Sequence, residues 1–261
     1  IQPISHGMHG NSMNDEPTLL GVSFFSGSLY DAIAKIKDGG LLTAPSGPGM
    51  ANDLPFSKEY RRALHESEVV LADSGLLCLW NRFFGFQKKL NRISGLLFLK
   101  EFICNIDFTV NCSFWIMPDH QQARKNFDWL EKTLGIKLTQ SNLYVAPKYT
   151  AKEKVRDEQL LREIDVHKPK YIFVQIGGGV QERLGLYLKE ELNYKPVIIC
   201  TGAALAFLTG CQTRIPAWAD KYYIGWLLRC LGDPITFIPR YIRAIRLIFL
   251  LFKYRANSPV A

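Results

Sequence analysis

Tyr171-Ile172-Phe173-Val174-Gln175-Ile176 runs directly into Gly177-Gly178-Gly179-Val180-Gln181-Glu182. The first six residues are apolar apart from Gln175, with no alternation of polar and apolar positions. A strand exposed on one face alternates, whereas a strand covered on both faces reads as a continuous apolar run. The three glycines end the strand, and a helix is expected from about Gln181. A buried strand, a glycine turn and a helix make one unit of a parallel sheet. Glycines let a backbone approach a phosphate, and a helix N-terminus offers it unpaired N–H groups. Glu182 stands where the third glycine of G-x-G-x-x-G would be, so a dinucleotide site is disfavoured. Two readings of Gln181-Glu182 stay open: groups that grip sugar or base hydroxyls, or a tight turn with Glu182 favouring the helix dipole.

Working outward, the same unit recurs. Leu19 to Phe25 is an apolar run of strand length, and Ser28 precedes Leu29, Ala32, Ile33 and Ile36 at helical spacing. Gly39-Gly40 closes that helix and Leu41 to Ala44 reads as a strand. Pro45 to Gly49 reads as a loop, followed by a helix ending near His65. Val69 to Ala72 is a short buried strand that ends at Asp73-Ser74-Gly75. Leu76 to Phe84 and Gly95 to Cys104 read as helices, Ser113 to Met117 as a strand. Pro118-Asp119 opens a helix carrying Ala123, Phe127, Leu130 and Leu134. Asn142 to Ala146 is strand-like, Lys152 to Val166 a charged amphipathic helix, and Val197 to Cys200 the last clear strand. The expectation is an α/β, Rossmann-like parallel sheet with helices on both faces, plus a C-terminal helical appendage. The α/β domain is placed at 18–212, the basic amphipathic appendage at 213–261, and a disordered leader or tag remnant at 1–17. Ligands of such sheets bind where the carboxyl ends of strands lead into helices. Here those places are Pro45 to Gly49, Asp73 to Gly75 and Gly177 to Glu182.

Composition narrows the class. With 261 residues and 48% hydrophobic, the chain can bury a large core, and 21% charged with 12% aromatic argues against disorder. The six cysteines, at 78, 104, 112, 200, 211 and 230, include no C-x-x-C pair. A zinc ribbon and a dithiol redox motif are thus excluded, and reduced thiols in a cytoplasmic protein are expected. No apolar signal segment opens the sequence. His6 and His9 have no further metal ligand in view, and His65, His120 and His167 are isolated. No metal site and no cofactor are expected.

The net charge of +8 is uneven: from Arg214 onward there are eight basic residues against Asp220 and Asp233, so the tail holds +6. The tail is therefore what seeks anions, and a nucleic-acid partner is not expected. Its last run, Arg240-Tyr-Ile-Arg-Ala-Ile-Arg-Leu-Ile-Phe-Leu-Leu-Phe-Lys-Tyr-Arg255, lacks the roughly 18 uncharged residues of a spanning helix. Basic residues among Ile, Leu, Phe and Tyr suit a helix lying on an anionic membrane through residues 240–255. The same pattern also fits a helix packed on its own domain.

Asp73 at the mouth of a buried strand can take a proton from an attacking hydroxyl, or cap the next helix. No D-x-D pair is present to hold a divalent ion, so a leaving diphosphate would be met by Arg, Lys and helix N-termini.

These segments together resemble the WecG/TagA/CpsF family, glycosyltransferase family 26, from about Leu20 to Leu251. Thr43-Ala44-Pro45-Ser46 is similar to the family's Thr-Pro-Asn loop, and Ala72-Asp73-Ser74-Gly75 to its Pro-Asp-Gly. Arg92-Ile-Ser-Gly95 is similar to Arg-x-x-Gly, and Gly178-Gly179-Val180-Gln181-Glu182 to Gly-x-Pro-Lys-Gln-Glu. Gly202 to Gly210 resembles Gly-Ala-Phe-Asp-Phe-x-x-Gly. Arg214-Ile-Pro-Ala-Trp218, Trp226-Leu-Leu-Arg229 and Pro234 resemble the family's tail signature. The resemblance implies an inverting, metal-independent transfer of a hexose or N-acetylhexosamine-type sugar. The donor would be a UDP-sugar and the acceptor a polyprenyl-diphosphate-linked saccharide, in cell-surface polysaccharide synthesis.

In that scheme Asp73 is the base, and Arg214 and Arg229 serve the diphosphates. Thr43, Ser46, Arg92, Gly177, Gly178, Gly179, Gln181 and Glu182 line the substrate site. The protein would sit peripherally at the inner face of the plasma membrane, self-association being left open. The sequence departs from the family at Ser46 or Gly47 in place of Asn, at Leu96-Leu97 in place of a hydroxyl-Asp pair, at Met117-Pro118 in place of a Gly-Gly turn, and at Ala206 in place of Asp. These departures define the alternative: a catalytically impaired paralogue serving as a binding or scaffold subunit of a polysaccharide assembly complex.

Overall fold

The computed structural model describes residues 16–85, 89–106, 112–150, 154–209 and 225–259. Six strands form one parallel sheet: β3 (Gly40–Thr43), β4 (Val69–Val70), β5 (Ser113–Met117), β6 (Leu143–Val145), β7 (Tyr171–Val174) and β8 (Val197–Cys200), in the order β4-β3-β8-β7-β5-β6. Helices cover both faces, as the uninterrupted apolar strands require. In β7, Tyr171 and Phe173 face one core layer. That layer also holds residues of α1 (Leu29–Ile36), α5 (Gly95–Asn105), α6 (His120–Leu134) and α9 (Ala204–Leu208). Ile172 and Val174 face the opposite layer, with residues of α3 (Lys58–His65), α7 (Glu158–His167) and α8 (Val180–Glu191). Phe173 and Trp115 stack at 4.0 Å in the centre of the first layer. The α/β reading with helices on both faces holds.

Local departures from the sequence reading have physical causes. Leu19 to Phe25 is not one strand but a tight hairpin of β1 (Thr18–Leu19) and β2 (Val22–Ser23). Leu20 (φ 53°) and Gly21 (φ 74°) both take positive φ, the geometry of a two-residue hairpin turn. The strain at Leu20 is offset by burial, since its side chain is 1% exposed, and by its N–H donating to the Arg255 carbonyl at 2.7 Å. The loop expected at Pro45 to Gly49 is shorter, because α2 (Gly47–Asp53) begins within it, with Ser46 as cap and Pro48 in the first turn. The helix expected from Lys152 starts at Glu158, where Asp157 accepts the Leu160 N–H at 3.0 Å.

The tail supplies α10 (Gly225–Gly232) and α11 (Pro234–Tyr254). Of the helical appendage expected at 213–261, the structure describes residues 225–259. On α11, Ala244, Leu247, Leu250 and Leu251 are buried, the last three in a third core layer with α2, with α4 (Gly75–Phe84) and with the hairpin. A second stripe on α11, Ile235, Ile238, Ile242, Ile245, Phe249 and Phe252, is 44–87% exposed and spaced alternately by three and four residues. The helix thus carries two apolar faces. Among the described residues, no helix is long and apolar enough to cross a membrane.

Candidate active site

The site begins with a repeated local device. Three helices open on a serine followed by glycine: Ser46-Gly47 at α2, Ser74-Gly75 at α4 and Ser94-Gly95 at α5. Each serine oxygen accepts an N–H three residues on, from Gly49 at 3.2 Å, Leu77 at 3.4 Å and Leu97 at 3.2 Å. The glycines let the helix starts crowd together. A Cβ on Gly47 would stand 2.9 Å from Ser74 Oγ, and one on Gly95 would stand 3.1 Å from the Ala44 Cβ.

These starts, with the turns after β7 and β8, enclose a cavity of about 1020 Å³ over the carboxyl ends of the sheet. That is the upper end of the roughly 300–1,000 Å³ of small-molecule sites, enough for more than one substrate moiety. Its two walls differ. One holds Ser46, Asp73, Ser74, Arg92, Ser94, Gly177, Gly178, Gln181, Thr201 and Gly202. The other comes from α10 and α11 through Leu227, Leu231, Pro234, Ile238, Ile242, Ile245 and Ile248. The polar wall gathers the positive ends of α4, α5 and α8, each equivalent to roughly half a unit charge.

Asp73 is partly buried at this wall. It is not the cap of α4, a role taken by Ser74. Its Oδ1 accepts the Gly95 N–H at 3.0 Å, and its carbonyl accepts Arg92 Nε at 3.4 Å. The carboxylate is therefore fixed to the start of α5 and reaches the cavity beside a guanidinium. Behind it, burial pushes the Cys78 thiol up to about 12, against the pull of Arg92, so this cysteine stays a neutral thiol.

Gln181 lines the cavity, but Glu182 and Gly179 are not among its lining residues. Glu182 is fully buried and points back into the fold. Its Oε2 accepts the Gly179 N–H at 2.7 Å, and its Oε1 accepts Gln181 Nε2 at 3.1 Å. Burial pushes the Glu182 carboxyl up to about 7, despite those donors. Gly179, at φ 87°, cannot be replaced freely: a Cβ there would stand 2.4 Å from Asp53 Oδ2. Gly177 has open space around it, so its backbone is accessible to a ligand. Of the pair Gln181-Glu182, Gln181 lines the cavity and Glu182 caps the turn behind it.

Thr43 is placed elsewhere, buried with its hydroxyl donating to Ser67 Oγ at 3.3 Å. Arg214 lies outside the described residues, and so does the side chain of Arg229 on α10. Of the family departures, Ser46, Gly47 and Leu96 line the cavity, whereas Ala206 is fully buried away from it.

Two elements escaped the sequence reading. Gln175, noted only as a polar break in an apolar strand, is 1% exposed. It donates to Thr201 Oγ1 at 3.0 Å and accepts the Leu205 N–H at 3.2 Å, doing for α9 what its cap residue Ala203 cannot. A lone amide between apolar strand residues was the available signal, because a buried amide requires partners. The second was the Ser-Gly repeat, present at 46, 74 and 94 but visible as a set only once the three starts meet.

The model of the Glycosyl transferase WecG/TagA/CpsF family matches residues 18–260. Over 79 residues the chain is 32% identical to an N-acetylglucosaminyldiphosphoundecaprenol N-acetyl-beta-D-mannosaminyltransferase of Staphylococcus aureus (strain MRSA252). That stretch is 30% of this chain and 31% of the relative, so the alignment spans under a third of either protein. With the family model matching nearly the whole length, the chain belongs to the WecG/TagA/CpsF glycosyltransferase family.

Proposed function

We propose that the protein transfers a hexose or N-acetylhexosamine-type sugar from a UDP-sugar to a saccharide carried on a polyprenyl diphosphate, in the synthesis of a cell-surface polysaccharide. The observation that carries this reading is the two-walled cavity: helix N-termini and Asp73 on one side, the apolar tail helices on the other. A nucleoside diphosphate suits the first wall, where backbone dipoles oppose its charge. A lipid-linked acceptor suits the second. The Staphylococcus relative's name describes a mannosaminyl transfer to a lipid-diphosphate acceptor, and that kind of acceptor is the one assigned here.

In this reading the acceptor hydroxyl attacks the anomeric carbon on the side opposite the nucleotide. The bond to the diphosphate oxygen breaks with its electrons, and UDP leaves. Asp73 takes the hydroxyl proton, and the single displacement from the opposite face inverts the configuration. The starts of α4, α5 and α8, with Arg92, face the developing charge on the leaving group. Arg214 and Arg229 complete the scheme as further diphosphate contacts. The scaffold alternative receives less support, since Asp73, Arg92 and Gln181 converge on one cavity.

The exposed stripe of α11 and the basic residues 240–255 dock the protein peripherally on the anionic inner face of the membrane, bringing the cavity to its acceptor. The test is transfer from a panel of UDP-sugars to a synthetic lipid-diphosphate saccharide, with and without excess EDTA. Transfer from at least one donor that survives chelation is expected. No transfer from any donor refutes the reading, and activity lost to EDTA and restored by magnesium refutes its metal-independence.

A further inference from the structure

The turn after β8 forms part of the cavity floor through Thr201, Gly202, Ala203 and Ala204. It cannot hold itself. Gly202 takes φ 64°, and Ala203 has no side chain able to cap α9. Two glutamines from the neighbouring β7–α8 segment hold it instead. Gln175 grips Thr201 and the start of α9, and Gln181 accepts the Gly202 N–H at 2.5 Å. The carboxamide of Gln181 works only in one orientation: oxygen toward Gly202, nitrogen away.

What fixes that orientation is Glu182, whose Oε1 accepts Gln181 Nε2 while Oε2 accepts the Gly179 N–H. We infer that Glu182 is a positioning residue: from inside the fold it sets the polarity of Gln181 and so latches the β8 turn to the glycine turn. The inference rests on the proposed function only in assigning the latched cavity to the donor.

The argument turns on hydrogen-bond polarity. The latch requires two acceptors at position 182, because both facing groups are N–H donors. A carboxylate supplies two and a carboxamide supplies one. With Gln at 182, either its NH2 opposes the Gly179 N–H, or Gln181 flips and its NH2 opposes the Gly202 N–H. A protonated Glu182 has the same shortage. The groups facing Glu182 are Asp53 from α2, which opposes its ionisation, Tyr60 from α3 and Cys200 from β8. Arg183 acts on Asp53 and donates through Nε to the Gly179 carbonyl at 2.9 Å, adding a second tie to the same turn. The latch is therefore complete when Glu182 is ionised, and falling pH should open it around neutrality.

The test is amide hydrogen exchange resolved at Gly179 and Gly202, without substrate, in wild type, Glu182→Gln and Gln181→Ala. In Glu182→Gln, protection at Gly202 or Gly179 should fall about tenfold, the equivalent of one net hydrogen bond. Amides of β7 should be unchanged. In Gln181→Ala, Gly202 alone should lose protection, because Glu182 still holds Gly179. In the wild type the Gly202 protection should be higher at pH 8 than at pH 6.

Should Glu182→Gln fail to fold, the Gln181→Ala pattern and the wild-type pH series decide. Unchanged Gly202 protection in Gln181→Ala, or Gly179 and Gly202 both unchanged in a folded Glu182→Gln, overturns the latch. In transfer assays Glu182→Gln should raise the UDP-sugar KM about tenfold with a smaller change in kcat. An unchanged KM in the folded variant overturns the functional half of the inference. If wild type transfers no sugar, the proposed function fails by itself, while exchange still decides the latch.

Discussion

Asp73→Asn separates the chemistry from the scaffold. The wild-type Oδ1 accepts the Gly95 N–H at 3.0 Å, at a position where Gly95 is buried. An asparagine keeps an oxygen for that bond, so the start of α5 stays tied down. What is lost is the ability to take a proton, for which roughly 10²–10⁴-fold of rate is expected, or about 3–5 kcal/mol of barrier. Asp73→Ala removes both functions. It leaves the Gly95 N–H without its acceptor, which costs about 1–3 kcal/mol. For a chain of this size that is a fall in melting temperature of roughly 2–10 °C. The two variants should therefore be about equally slow in transfer, yet only Asp73→Ala should melt clearly earlier. The assay pairs initial rates of sugar transfer with thermal denaturation. Turnover of Asp73→Asn within a few-fold of wild type would refute the base assignment. A loss of stability in Asp73→Asn with no specific loss of rate would show that the carboxylate serves the helix start and not the reaction.

Three further outcomes are expected. Leu247→Ala removes a fully buried side chain that packs against the start of α2 beside Gly47, and should destabilise by about 2–5 kcal/mol in denaturant titrations, whereas a loss under 1 kcal/mol would mean the tail is only loosely held. Glu182 is raised to about 7 in the fold against 4.5 outside it, so the unfolded chain releases this proton first. The group's stabilising contribution is full below about pH 4.5 and gone above about pH 7, a fall on the order of 3 kcal/mol. Denaturant midpoints at pH 5 and pH 8 should diverge more in wild type than in Glu182→Gln, and equal divergence would contradict the shift. Vesicles of anionic lipid should co-sediment the protein at low salt and less at high salt. A variant with Ile242, Ile245 and Phe249 changed to Ser should bind less at both salts, and equal binding would leave the exposed stripe without a membrane role.

The sheet was legible because its signal is physical and local. Tyr171 to Val174 and Val197 to Cys200 are apolar at every position, which only a strand covered on both faces tolerates in a soluble setting. Ser28 and Asp119 announced helix starts through a side chain that competes for backbone N–H groups, whereas the cap of α4, for which Asp73 was the candidate, is Ser74. The Leu20-Gly21 hairpin was hidden because its positive-φ turn places a leucine where glycine or asparagine is the usual marker. The short β4 was overextended to Ala72 because burial continues past the last paired residue, Val70.

The candidate site was legible in its members and not in their orientation. Asp73, Ser46, Gly177, Gly178 and Gln181 were marked by position at a strand end or helix start, Arg92 by the family resemblance alone, and all six line one cavity. Thr43 and Glu182 carried the same marks and turn inward. Spacing along the chain fixes which residues a turn contains, but adjacent residues at the first turn of a helix point about 100° apart, and neighbours choose between them. At α8 that choice is set by Gly179, whose left-handed backbone aims its N–H at residue 182. Glu182 is thereby spent on the cap, and Gln181 is the residue left facing the cavity. The pair works as one unit, with a carboxylate behind an amide, and replacing either member should change what the other presents to the cavity.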